Sequence, residues 1–167
     1  MKKTLLTLVS LLLATAVQAQ TCNPNMVKTK PDSQYTLSAD GTEVTDTKTG
    51  LIWQRCVLGT SWNGTTCSGT ATTYYWENAL AQAATVAANT SLAWRLPNQK
   101  ELKSLVETAC YGQAINETVF PATPMYIWSS SAFVYNTYGA LLVYFNYGYD
   151  YWDSKNYGLA VRLVRSQ

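Results

Sequence analysis

At 167 residues the chain has room for a single domain with its own core. Its formal charge of +2 rests on Lys2 and Lys3, and without them ten basic residues face ten acidic ones. That balance removes the basic excess a nucleic acid backbone requires, and the absence of histidine removes both the usual base for a serine nucleophile and a common zinc ligand.

The chain opens as an export signal, residues 1–19. Lys2 and Lys3 form a basic head, Leu5 to Val17 an apolar stretch, and Val17-Gln18-Ala19 a small-residue cleavage site. The mature domain is expected over residues 20–167, secreted or periplasmic, with no transmembrane segment, because thirteen apolar residues fall short of the ~20 needed to span a bilayer. Cys22 lacks the small residue that a lipid-anchoring motif places directly before its cysteine. In an exported chain, Cys22, Cys56, Cys67 and Cys110 read as two disulfides with three possible connectivities; the first choice is Cys56 with Cys67 across a turn-rich loop, which leaves Cys22 with Cys110.

Asp40-Gly41 predicts a turn, Thr42 to Thr45 a strand, Asp46 to Gly50 a second turn, and Leu51-Ile52-Trp53 the return strand of a hairpin. Thr73 is expected to cap a helix over residues 74–88, with Trp76, Leu80, Ala83 and Ala87 on one face. Asn98 and Glu101 form the pattern of a capping box for a second helix whose apolar face is Leu102, Leu105, Val106 and Ala109. Beyond Cys110 the period becomes two. Leu141, Val143 and Phe145 alternate with Leu142, Tyr144 and Asn146, Asn146-Tyr147-Gly148 turns, and Leu159, Val161 and Leu163 make a last strand with Arg162 outward. The fold class is α+β, two helices on a small, mostly antiparallel sheet with a hairpin-rich C-terminal region.

Five motifs in order then carry a resemblance: residues 45–55 (Thr-Asp-Thr-Lys-Thr-Gly-Leu-Ile-Trp-Gln-Arg), Trp94-Arg95-Leu96-Pro97-Asn98, Phe120-Pro121, Trp128-Ser129-Ser130-Ser131 and Val161-Arg162-Leu163-Val164-Arg165. Together they resemble the Lcl C-terminal domain family, named for a bacterial collagen-like surface adhesin. The resemblance implies a C-type-lectin-like fold of the formylglycine-generating-enzyme subtype and, for the adhesin, trimerisation and binding of sulfated glycans. This sequence has no collagen-like Gly-X-Y repeat.

Twelve of the 21 aromatic residues fall between Tyr126 and Tyr157, mixed with Asn, Asp, Ser and Gly. Rigid, amphipathic rings beside small polar groups make a binding surface, as in antibody paratopes. The candidate ligand-binding residues are Tyr135, Asn136, Tyr138, Asn146, Tyr147, Tyr149, Asp150, Tyr151, Trp152, Lys155, Asn156 and Tyr157, with Lys155 offered to a sulfate or carboxylate. The competing reading is a solvated hairpin with ordinary cross-strand aromatic pairs. Related lectin-like folds also serve as targets of diversity-generating retroelements, and Tyr, Asp and Ser codons each arise from an Asn codon by a change at adenine, so diversification is an alternative. Trp53, Trp94 and Trp128 read as scaffold, and Arg95, Arg162 and Arg165 as partners for buried carboxylates or carbonyls.

The expected function is therefore non-enzymatic recognition of a glycan or protein surface, with no cofactor, no metal, and oligomerisation left open. The formylglycine-generating chemistry depends on C-terminal cysteines, and none follows Cys110. Asp150 and Asp153 are the only carboxylate pair in the tail, a weak basis for either calcium or a glycosidase.

Overall fold

The computed structural model describes residues 20–167, so the export-signal reading of residues 1–19 lies outside the described residues. The predicted hairpin is present as β3 (Glu43–Asp46) and β4 (Leu51–Gln54), closed by an Asp turn in which the Asp46 carboxylate accepts the Lys48 N–H and its carbonyl accepts the Gly50 N–H. β2 (Tyr35–Leu37) and β11 (Val164–Ser166) flank it, giving an antiparallel sheet in the order β11-β4-β3-β2. Val44 and Trp53 are fully buried behind this sheet.

Both disulfides form as expected. Cys22–Cys110 joins β1 (Thr21–Cys22) to β7 (Cys110–Tyr111), which pair antiparallel, and Cys56–Cys67 closes the small hairpin of β5 (Thr60–Trp62) and β6 (Cys67–Gly69). Beside the first bridge, the buried Glu107 carboxylate accepts the N–H groups of Thr29, Lys30 and Ala109 and the Thr29 hydroxyl. Burial alone would raise its pKa, but these donors outweigh that and lower it.

Helix α1 (Trp76–Thr90) starts two residues later than Thr73 predicts, on Tyr75, with no side-chain cap. Tyr74 is held extended by backbone hydrogen bonds in both directions with Leu159, so the chain is committed to strand pairing just where the cap was expected. Helix α2 (Gln99–Lys103) has the full capping box, yet it is only one turn long. Its apolar face continues without helix. Leu105 and Val106 N–H groups bond three residues back, Val106 then bridges to Ile115, and Leu105, Val106 and Ala109 are buried all the same.

The C-terminal half is a three-stranded antiparallel sheet in the order β10-β9-β8, from β8 (Tyr126–Ala132), β9 (Gly139–Tyr144) and β10 (Tyr149–Ser154). It is covered on both faces. Ile127, Val143 and Phe145 pack with Leu102 and Leu105, while Trp128, Ala140 and Leu142 pack with Ala79 and Ala83 of α1. The expected alternation is present, and both faces feed the core, Val143 and Phe145 on one side and Leu142 on the other. The architecture is α+β, with several small antiparallel sheets in place of the one expected.

The last strand is also corrected. Only Val164–Ser166 pairs regularly, and Arg162 points inward with no exposed surface. Its guanidinium donates to the carbonyls of Gln54 and Arg55 and to the Thr123 hydroxyl, and it lies over the Phe120 ring. The expected partners of the other arginines are carboxylates, Glu101 for Arg95 and Glu43 for Arg165. Trp53, Trp94 and Trp128 are all core, and Ser129 and Ser131 bond backbone within or beside β8.

Candidate functional site

Strand register decides which tail residues meet. Tyr149 lies opposite Tyr144, and Tyr144 opposite Tyr126, so the three form one cross-strand row. The row sits beyond the part of the sheet that α1 covers. Tyr126 and Tyr144 stack at 4.6 Å between ring centroids, Tyr147 meets Tyr144 edge-on at 5.7 Å, and Tyr147 stacks with Tyr149 at 5.9 Å. Desolvation, with the neighbouring Tyr144 phenol behind it, pushes the Tyr126 phenol above its ordinary pKa. The Tyr126 hydroxyl therefore stays neutral and able to donate a hydrogen bond at physiological pH.

A groove of about 510 Å³ adjoins this row, lined by Met26, Val106, Tyr111, Tyr147, Tyr149 and Lys103, among others. Its floor is rigid. Gly112 and Ala114 N–H groups bond the carbonyls of Asn146 and Phe145, which ties the 145–148 turn to the segment that the Cys22–Cys110 disulfide anchors. Gly148 holds the turn at φ 71°, and a Cβ there would come within 2.4 Å of Val106.

A second aromatic group occupies the opposite face. Side chains alternate along β10, so Trp152 faces away from Tyr149 and Tyr151. It stacks on Phe133 at 4.7 Å, and Phe133 meets Tyr135 edge-on at 5.6 Å. Tyr135 and Tyr138 project from the β8–β9 turn with 88% and 80% of their surface exposed. Tyr151, Asn156 and Tyr157 are exposed as well. The structure thus divides the twelve candidates between two surfaces and a hairpin tip.

Four candidates are already committed within the protein. Asn146 is a correction: it is 5% exposed, and its amide donates to the Tyr144 hydroxyl at 3.1 Å, so it positions the row from beneath. Asp150 accepts from Gln99 at 2.8 Å and pairs with Lys103 at 3.2 Å. Lys155 donates to the Thr137 carbonyl at 2.8 Å and lies over the Trp76 ring. Asn136 accepts the Tyr138 N–H and so shapes the hairpin tip.

Sequence reading passed over Tyr126, Tyr144, Tyr111 and Phe133. Tyr126 and Tyr144 flank scaffold motifs, and only cross-strand register reveals them as neighbours of Tyr149. Asp150 and Asp153 differ by three positions on one strand and so face opposite sides of the sheet, which separates the only carboxylate pair in the tail. A further cleft of about 380 Å³, between Trp62, Trp94 and Leu92, shares no lining residue with the tyrosine groove. No group of three or more Cys, Asp or Glu side chains is placed to hold a metal among the described residues.

The architecture is that of a small α+β domain tied by two disulfides, which fits an extracellular or otherwise oxidising compartment. The family model of the Lcl C-terminal domain matches residues 42–165, and the chain belongs to that family. Comparison with curated proteins and with solved structures finds no match. No helix among the described residues is long and apolar enough to cross a membrane.

Proposed function

We propose that this is an exported, non-enzymatic recognition domain that binds a glycan through the row Tyr126–Tyr144–Tyr149, the Tyr147 ring and the adjoining groove. The observation that carries this reading is the contact between the four rings, which makes a contiguous, partly exposed aromatic surface where scattered exposed rings would need no explanation. A pyranose lays its C–H face on such rings while their hydroxyls bond its own. We propose further, from membership of the family, that the fold is C-type-lectin-like, of the formylglycine-generating-enzyme subtype.

Lys103, the cation in the groove lining, already serves the Gly148 carbonyl and Asp150. Stacking rather than charge therefore carries the affinity, and sulfation of the glycan adds little. The separation of Asp150 from Asp153 supports the non-enzymatic reading. Glycan-array binding by the full domain tests it: Tyr147→Ala with Tyr149→Ala should lose binding while Tyr135→Ala with Trp152→Ala keeps it, and sulfated and desulfated forms of one glycan should bind alike. Retention of binding by the first pair refutes the site, and strong dependence on sulfate refutes the mechanism.

A further inference from the structure

Strand β10 is an edge whose outward backbone groups can be identified. The Lys155 N–H bonds the Tyr138 carbonyl, and this pair continues the β10–β9 register, in which Asp153 faces Ala140, Tyr151 faces Leu142 and Tyr149 faces Tyr144. In an antiparallel ladder, hydrogen-bonded pairs alternate with open ones. Tyr149, Tyr151 and Asp153 therefore bond inward to β9, and Asp150, Trp152 and Ser154 direct their N–H and C=O groups outward. Ser154 is already closed, its N–H by the Asp153 carboxylate at 2.7 Å and its C=O by the Tyr157 N–H at 2.9 Å. The N–H and C=O of Asp150 and of Trp152 have no backbone partner among the described residues.

Natural edges are usually blunted by proline, lysine, a bulge or a covering segment. β10 has no proline or lysine, its pairing with β9 is unbroken, Tyr149, Asp150, Tyr151 and Trp152 are all exposed, and of its two charged side chains Asp150 is paired with Lys103. The spacing of the open groups is self-complementary. Antiparallel pairing with a second β10 about a two-fold axis at Tyr151 sets Asp150 against Trp152 and Trp152 against Asp150, satisfying all four groups of each strand's edge at once. In that register Tyr151 meets its own copy and Asp153 lies opposite Tyr149. No like charges face one another.

We propose that the chain forms a two-fold dimer through β10, joining two three-stranded sheets into one continuous six-stranded sheet. The partner is a second copy because a single symmetric register uses every open group and pairs ring with ring. The contact is short compared with a standard interface, so association is weak and concentration-dependent. It also puts both tyrosine rows on one face of the joined sheet, offset along the strands. The assembly does not rest on what that surface binds.

The test is analytical ultracentrifugation of the disulfide-intact protein up to millimolar concentration, with amide hydrogen exchange read at Asp150 and Trp152. Tyr151 is exposed, so Tyr151→Lys and Tyr151→Glu should fold with unchanged circular dichroism and melting. Each alone should weaken dimerisation on the order of tenfold by setting like charges together at the axis, and a mixture of the two should restore it. Exchange at Asp150 and Trp152 should slow as wild-type concentration rises. A wild-type protein that stays monomeric, or a dimer indifferent to both charge variants with fast exchange at Asp150 and Trp152, overturns the proposal.

Discussion

Replacing Arg162 with alanine tests how the closing motif holds the domain together. Burial pulls the guanidinium pKa down to about 9, still above neutrality, so it is a cation with no carboxylate among its hydrogen-bond partners. Its donors serve two carbonyls on the strand leaving the first hairpin and the hydroxyl of Thr123, so it pins β4 to the 120–123 turn. Removing it orphans groups that cost about 1–3 kcal/mol each when buried, and it leaves a cavity against Phe120; relief of the buried charge offsets part of this. The net expectation for Arg162→Ala is a loss of about 3–4 kcal/mol, a large share of the ~5–15 kcal/mol typical of a domain. Arg162→Lys, which keeps the charge but has no planar fork to span both carbonyls, should lose about 2 kcal/mol. Denaturant unfolding with disulfides intact measures both. An unfolding free energy for Arg162→Ala within ~1 kcal/mol of wild type, at unchanged m-value, would refute this role for Arg162.

Glu107→Gln should lose about 1–3 kcal/mol at pH 7, because an amide nitrogen must then face a backbone N–H. The carboxylate's folded pKa lies below its unfolded value, so its contribution is present above the unfolded pKa and lost as pH falls through the folded one. Wild-type stability should therefore fall more steeply than that of the variant as the solution is acidified, and parallel curves by thermal melting would contradict the latch. Cys22→Ser with Cys110→Ser opens a closure of 88 residues and should cost about 4–5 kcal/mol in the chain-entropy account; a melting temperature equal to wild type would count against the anchor. Gly148→Ala drives a Cβ into Val106 and should displace the Tyr147 turn, lowering glycan binding while the Trp62 cleft keeps its shape by nuclear magnetic resonance.

Much of the scaffold was legible because its signals are local. The Asp46–Gly50 turn, the Asn98 and Glu101 capping box and the Cys56–Cys67 loop are each decided within a dozen residues, and each is present. Failures arise where a distant partner intervenes. Leu159 draws Tyr74 into pairing and delays α1, Ile115 draws Val106 out of helix, and the carbonyls of Gln54 and Arg55 take Arg162 inward against its alternation. The same holds for the candidate site. Aromatic density marked the region, but composition has no means to show that Trp152 and Tyr149 face opposite sides of one strand, that Tyr126 completes the row, or that Asn146 lies beneath it.

One contiguous tyrosine surface, and not the tail as a whole, is proposed to make the contact. Titrating the full domain with an array-selected glycan, while following assigned aromatic resonances, tests this most directly. Saturable shifts are expected at Tyr126, Tyr144, Tyr147 and Tyr149, with Phe133, Tyr135 and Trp152 unmoved. Shifts confined to the Phe133–Trp152 group, or to Trp62 and Trp94, would contradict the proposal.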